Sequence, residues 1–165
     1  MITAIAAISE NWGIGKDNDL LFNIPEDKKF FRRTTLNRTV IMGRKTLESL
    51  PGGRPFKDRR NIVLSRDPCF TVEGAEVCRS VNEVLTLIKG EDAFVVGGGE
   101  IYREFLPCCA FALITKVEAS PEADAFFPDL DKAGNWRLSE QSEEYEYNGL
   151  KYRFCTYENH RDIEL

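Results

Sequence analysis

The residues DAFVVGGGEIYREFL (92–106) pass from a short apolar run through three consecutive glycines into an amphipathic run. This pattern predicts a buried strand, a tight turn and a helix, the junction of a strand–helix–strand unit. Outward from it the same alternation recurs. Upstream, ITAIAAIS (2–9) is continuous enough for a strand covered on both faces. A helix starts at Pro25, and RTVIMGRKTLESL (38–50) changes from strand to short helix. RNIVLS (60–65) and AEVCRS (75–80) are further strands, and VNEVLTLIKG (81–90) has helical spacing that stops at Gly90. Downstream, AFALITKVEA (110–119) opens a last third of long strands, and WRLSEQSEEYEYNGLKYRFCTYEN (136–159) turns at Asn148–Gly149, a strong hairpin signal. Strands alternating with helices imply parallel strands joined by right-handed crossovers. The expectation is one α/β domain over residues 1–165, with a mainly parallel twisted sheet and an antiparallel C-terminal edge strand.

A chain of 165 residues suits one domain, and its 42% apolar and 30% charged composition is ordinary for a globular protein. The net charge of −5 argues against a nucleic-acid surface, which is usually basic. No apolar run approaches the ~20 residues that span a membrane. MITAIAAISENW, at the start, has no basic leader before its apolar stretch, so it reads as the first strand rather than a signal peptide. Cys69, Cys78, Cys108, Cys109 and Cys155 form neither a CxxC pair nor a metal-ligand spacing, and their number is odd. Reduced thiols in the cytoplasm account for them. His160 is the only histidine, which removes His-centred triads and multi-His sites, and no metal is expected.

FNIPEDKKFFRR (22–33) poses the first chemical question. Pro25 suits the first helical position, where its missing N–H costs nothing. Asp27, Phe30, Phe31 and Thr34 then share one face, while Glu26, Lys28, Lys29, Arg32 and Arg33 supply charge for the others. A first-turn acid interacts well with the positive end of the helix, which by itself explains Asp27. The alternative is a carboxylate in an apolar cleft, its pKa raised by loss of water, suited to acid–base work or to gripping a cationic ligand. Helix spacing leaves both readings open.

Three junctions at strand ends suit a phosphorylated cofactor. Gly97–Gly98–Gly99 allows close backbone approach ahead of a helix amino end, although Tyr102 stands where a GxGxxG turn needs its last glycine. GRKT (43–46) supplies Arg44, Lys45 and Thr46, and SRD (65–67) supplies Ser65 and Arg66. Ligands of open α/β sheets gather at the carboxyl ends of strands, so these junctions can converge. Two arginines favour a dinucleotide with an extra phosphate, NADPH.

Taken with their order and spacing, the blocks IAAIS, WGIGKDNDLLFNIPEDKKFF, TVIMGRKTLESL, RNIVLS, FVVGGGEIYREFLP, LITKVEA and FFPDLD resemble bacterial dihydrofolate reductases across nearly the full chain. The resemblance implies an eight-stranded, mainly parallel sheet flanked by four helices. It implies NADPH-dependent reduction of 7,8-dihydrofolate to tetrahydrofolate by hydride transfer to pterin C6 with protonation at N5, in support of one-carbon metabolism and thymidylate synthesis. Asp27 then holds the pterin edge, Thr115 bridges that carboxylate and the substrate, and Phe22 and Leu20 stand beside the reacting atoms. Phe31, Leu50 and Phe56 form an apolar wall. Ile5, Ala6, Lys28 and Val96 border the substrate, and Arg59, with Arg60 as the adjacent alternative, clamps the α-carboxylate of the tail. The cofactor is implied to meet Ala7, Ile14, Gly15, Asn18 and Leu20 at the nicotinamide end. Gly43, Arg44, Lys45, Thr46, Leu64, Ser65, Arg66, Val96, Gly98, Gly99, Glu100, Ile101 and Tyr102 line the rest. A cis peptide is implied at Gly97–Gly98, and the segment 10–20 is implied to be a mobile flap. The expected partners are dihydrofolate and antifolate inhibitors, with neither nucleic acid nor membrane, and the expected state is a cytoplasmic monomer.

Several positions depart from the family pattern. Phe22 replaces a frequent tryptophan, Leu21 a common proline and Lys28 a frequent leucine, and the loop around LPGGRPFKD (50–58) is longer. Ala125 and Phe126 follow Asp124 where polar residues are expected, which puts the hydrogen bonds that steady the flap in doubt. The rival readings are a reductase of the same fold acting on a riboflavin-pathway pyrimidine, and a non-catalytic binder of NADPH or folate.

Overall fold

The computed structural model describes residues 1–161; the last four residues of the expected domain lie outside them. In chain order, β1 (Ile2–Ile8) leads through the short strands β2 (Gly13–Lys16) and β3 (Asp19–Leu20) to α1 (Pro25–Thr35). β4 (Thr39–Gly43) runs directly into α2 (Arg44–Ser49), and β5 (Arg60–Leu64) and β6 (Ala75–Cys78) precede α3 (Val81–Leu87). β7 (Ala93–Val95) and the glycine turn precede α4 (Gly99–Phe105). β8 (Cys109–Val117), β9 (Ala125–Phe126), β10 (Trp136–Gln141), β11 (Tyr145–Tyr147) and β12 (Leu150–Asn159) complete the described elements.

The main sheet has the order β10-β12-β8-β1-β7-β4-β5-β6, with β11 added onto β12. β8, β1, β7, β4, β5 and β6 are mutually parallel, and β12 is antiparallel to β8. The expected eight-stranded sheet with four helices is therefore present. One detail differs: the antiparallel C-terminal strand is not outermost, because β10 pairs outside it. The central strands read as unbroken apolar runs because both faces are covered; Val40, Ile41, Met42, Ile62 and Val63 are fully buried. At the hairpin, Tyr147 pairs with Leu150, and Asn148 and Gly149 have φ of 48° and 79°, the two positive values that a two-residue turn needs.

α1 begins with Pro25 in its first turn behind buried Ile24, as the sequence indicates. Its apolar face divides: Phe30 packs on Phe154 of β12 at 4.9 Å, whereas Phe31 packs on Phe56 at 5.3 Å. α3 is capped by Ser80, whose Oγ accepts from the Glu83 N–H, while the Glu83 carboxylate accepts from the Arg79 N–H. Gly90, at φ 84°, follows its end.

The segment expected as a flap is more regular than the sequence suggests. β2 pairs with β3 and with β9 in a second, three-stranded sheet. Strands of two to four residues are too short to show an alternating pattern, so the sequence alone does not reveal them.

Candidate active site

The carboxyl ends of β1, β4, β5 and β7 open toward one side of the sheet, and α1 borders it. Asp27, in the first turn of α1, is half-buried there, and Thr115 on β8 is buried. The Thr115 hydroxyl donates to Asp27 Oδ1 at 2.6 Å across 88 positions of sequence. Burial pushes the Asp27 carboxyl above the usual range, and the Thr115 hydrogen bond partly opposes that. Burial and the Thr115 hydroxyl thus act on the same carboxylate in opposite directions.

Phe31 and Phe56 face each other on one wall, and Leu50 packs against the same apolar cluster as Phe56 and Val96. The adjacent arginines separate. Arg60 bridges Glu76 on β6, at 2.6 Å, and Glu91. Arg59 instead lies over the Phe56 ring at 4.8 Å and donates to the Thr35 hydroxyl, at the end of α1, at 3.2 Å. Burial and the neighbouring Arg32 pull the Arg59 pKa down, and Asp58 opposes this. Only Arg59 of the two shares the wall with Phe31.

At the floor, the Ile5 carbonyl accepts from the buried Tyr102 hydroxyl at 2.6 Å, while Ala6 and Ala7 are half-buried at the end of β1. Val96 N–H donates to the Ile41 carbonyl, and Gly43 N–H donates to the Gly97 carbonyl, so the glycine turn is bound to the end of β4. The Gly97–Gly98 peptide is cis, and Gly97 has φ 127°. A Cβ on Gly99 would lie 2.7 Å from the Phe126 carbonyl oxygen, and one on Gly97 would meet Thr46 Oγ1 at 3.5 Å. Leu64 and Ser65 are buried at the end of β5, and Ile101 and Tyr102 are buried in α4.

The remaining positions are more exposed. Arg44 pairs with Asp67 at 3.3 Å and lies over Phe70, and Arg66 pairs with Glu100 and Glu104. Lys28 and Lys45 point to solvent. In the flap segment, Ile14 is half-buried, Leu20 is exposed, and Asn18 donates to the Lys45 carbonyl, tying this segment to the start of α2. Phe22 packs on the cluster of Ile24, Val117 and Tyr152.

The doubt over the flap's hydrogen bonds is answered by Asp124. Its carboxylate accepts from the Asp17 N–H at 3.0 Å, and its own N–H donates to the Gly15 carbonyl at 2.9 Å. Backbone pairing needs no polar side chains at Ala125 and Phe126. The sequence gives no sign of this clip, because Ala125 and Phe126 form no strand pattern of their own. Thr35, the partner of Arg59, has no signal either, because it is a buried helix residue like any other.

The sequence pattern of the dihydrofolate reductase family matches residues 1–159. A dihydrofolate reductase of Neisseria gonorrhoeae is 44% identical over 158 residues, covering 94% of this chain and 96% of that protein. The chain belongs to the dihydrofolate reductase family. The corresponding enzyme of Bacillus subtilis is 40% identical over 161 residues, covering 96% and 94%. A solved dihydrofolate reductase from Enterococcus faecalis, complexed with NADP(H) and RAB-propyl, superposes with a TM-score of 0.89 at 30% identity, covering 98% of this chain and 97% of that one. The family's activity is the NADPH-dependent reduction of dihydrofolate to tetrahydrofolate, and this chain is an oxidoreductase of that kind.

The residues present fit such a cofactor. Gly99 packs so closely on the Phe126 backbone that no side chain fits, which keeps this turn bare backbone ahead of α4. Thr46 Oγ1 lies against the glycine turn, and two guanidinium groups stand at the ends of β4 and β5.

Proposed function

We propose that Asp27 and Thr115 hold the pterin of dihydrofolate, and that the carboxylate–hydroxyl pair is the centre of this chain's reductase activity. The observation that carries the reading is the 2.6 Å bond between the buried Thr115 and an acid whose pKa burial has raised. A carboxylate so placed accepts two parallel hydrogen bonds from the 2-amino group and N3–H of the pterin. Phe31, Phe56 and Leu50 cover the rings, Lys28 lays its stem along them, and Arg59 grips the α-carboxylate of the tail. Ile5, Ala6 and Val96 border the pterin edge.

NADPH, when bound, supplies the hydride that reduces C6 of the pterin. The protein sets the distance and excludes water. Ala7, Ile14, Gly15, Asn18 and Leu20 enclose the nicotinamide end. Gly43, Arg44, Lys45, Thr46, Leu64, Ser65 and Arg66, with Gly98 to Tyr102, receive the phosphates and adenosine. Asp27 is the only carboxylate facing the pterin in this scheme; it favours the N5-protonated form electrostatically, and a water carries the proton to N5. Phe22 offers no donor to fix that water, and Leu20 closes over it with the flap.

The chain works as one domain and as a cytoplasmic monomer that takes dihydrofolate and antifolate inhibitors, without nucleic acid or membrane. Five cysteines, an odd number, suit a reducing compartment. The edge strand β10 carries charge and a break in register between Leu138 and Glu140, which discourages pairing with a second copy. No helix among the described residues is long and apolar enough to cross a membrane.

The test follows NADPH absorbance with two candidate substrates. Oxidation with dihydrofolate but not with a ribosylaminopyrimidine is expected; the reverse selectivity, or binding without turnover, would sink the reading.

A further inference from the structure

Lys116 follows Thr115 in β8, so its side chain leaves the opposite face of the sheet. Its ammonium pairs with Asp131 at 3.0 Å, and Asp131 also accepts from the Tyr157 hydroxyl at 2.6 Å. The same ammonium stands 5.5 Å from the Trp12 ring centre and 5.2 Å from that of Tyr157. Trp12 is buried, stacked on Phe127 at 6.0 Å and edge-on to Tyr157 at 6.0 Å.

Trp12 occupies the point where the chain leaves β1 for the flap. Its φ is 63°, a left-handed value unfavourable for a bulky side chain, so its surroundings must hold it. Its N–H donates to the Ser9 carbonyl, and its own carbonyl accepts from the Phe127 N–H. β2 starts at the next residue, and a Cβ on Gly13 would lie 2.8 Å from both Ser9 Oγ and Ala123 Cβ, so the entry is tightly packed. Phe127 continues to Tyr102 at 4.6 Å, and Tyr102 bonds the Ile5 carbonyl at the floor of the site. An unbroken aromatic path thus joins the flap's entry to the pocket, and the Lys116–Asp131–Tyr157 group closes around its outer end.

We propose that Lys116 is a positioning residue for the flap: with Asp131 and Tyr157 it clamps the Trp12 indole, and through it sets where β2 and β3 lie over the reacting atoms. The proposal rests on the flap reading above. The group touches neither substrate nor cofactor and acts through Trp12 alone. A buried hydrophobic residue at position 116 would fill the space equally well; a cation is needed only if the indole and the Asp131 carboxylate are to be held together.

The chain has two tryptophans, so a Trp136→Phe background isolates the fluorescence of Trp12. In that background, Lys116→Met keeps the length of the stem and removes the charge, Lys116→Arg keeps the charge, and Asp131→Asn removes the ion pair from the other side. Lys116→Met and Asp131→Asn are expected to make Trp12 more accessible to acrylamide. They should also slow single-turnover hydride transfer about two- to fivefold, the range for one such contact, with the KM for dihydrofolate unchanged. Lys116→Arg should restore both quantities. A merely structural role would lower the melting temperature and leave hydride transfer and quenching as in the background protein, and that result overturns the proposal. Equal slowing in Lys116→Arg and Lys116→Met overturns it as well. Absence of turnover in the background protein, with its quenching intact, would instead overturn the reductase reading and the clamp's role within it.

Discussion

Replacing Asp27 by asparagine preserves shape and removes charge, and the geometry fixes what the amide can do. Thr115 donates to Oδ1, and if the amide oxygen stays on that side its NH2 group faces the pterin's own N–H donors. Turning the amide over lets the Thr115 hydroxyl rotate and accept from the NH2 group, but it gives the pterin's two donors only one neutral acceptor. Two charge-assisted hydrogen bonds, worth about 1.5–3 kcal/mol each, therefore become at best one neutral bond of about 1 kcal/mol beside a mismatched donor. The expected loss is roughly 3–5 kcal/mol of transition-state stabilisation, or about 10²- to 10⁴-fold in kcat/KM. Stability moves the other way. Burial raises the folded-state pKa of Asp27, so its ionised form penalises folding at neutral pH, and that penalty fades as pH falls through the folded value. The ligand-free variant should melt at the same temperature as the parent or higher near neutral pH, with the difference shrinking in acid. The assay is steady-state NADPH oxidation beside thermal unfolding of the free protein. Near-parental kcat/KM in a variant that still binds NADPH would refute the placement of this carboxylate at the pterin edge.

Arg59→Gln should raise the KM for dihydrofolate about ten- to a hundredfold with kcat nearly unchanged, the cost of a lost carboxylate clamp. Arg60→Gln should leave that KM alone and, because its ion pairs are about a third solvent-exposed and screened, lower the melting temperature only by about 2–4 °C; the swapped result would reverse the assignment. Gly99→Ala drives a methyl group to 2.7 Å from the Phe126 carbonyl, so a loss of about 1–3 kcal/mol in stability and weaker NADPH binding are expected from melting curves and cofactor titration. Thr115→Val removes the hydrogen bond that lowers the Asp27 pKa, so the limb of the kcat/KM profile governed by this acid should move to higher pH; an unmoved limb would dissociate the threonine from the carboxylate.

The strands of the main sheet were legible because buried parallel strands are continuous apolar runs, and ITAIAA and RNIVL hide nothing. Pro25 and Gly90 marked helix boundaries, and Asn148–Gly149 the hairpin turn, by backbone chemistry that few other residues satisfy. The flap sheet was not legible: β3 and β9 have two residues each, and backbone pairing through Gly13 and Gly15 leaves no mark in side-chain pattern. Phe30 shows a different limit. Helical spacing assigned it to the same face as Asp27, yet a wide apolar face meets two neighbours, and only the tertiary fold sends Phe30 to Phe154 and Phe31 to Phe56. Arg60 stayed open beside Arg59 for a related reason, since only tertiary contacts show that one packs on Phe56 and the other pairs with Glu76.

The two readings of Asp27 that the helix pattern left open turn out to describe one physical arrangement. A carboxylate carried into an apolar cleft without compensation would be neutral at physiological pH and could not grip an amine edge. A carboxylate at a solvated helix end would keep its charge but would lie far from the rings. In the first turn of α1 behind Pro25, Asp27 lies near the unpaired N–H groups whose partial positive charge favours an anion by about 0.3–1 kcal/mol, up to ~2 when partly buried. Thr115 adds a second donor from across the sheet. Desolvation pushes the pKa up, and these two stabilisers limit the rise. The first-turn position and the Thr115 hydroxyl together are thus what allow the burial. A shift of the acid by one residue along α1 would rotate it about 100° from Thr115 and forfeit that hydrogen bond, although the helix end would still be near.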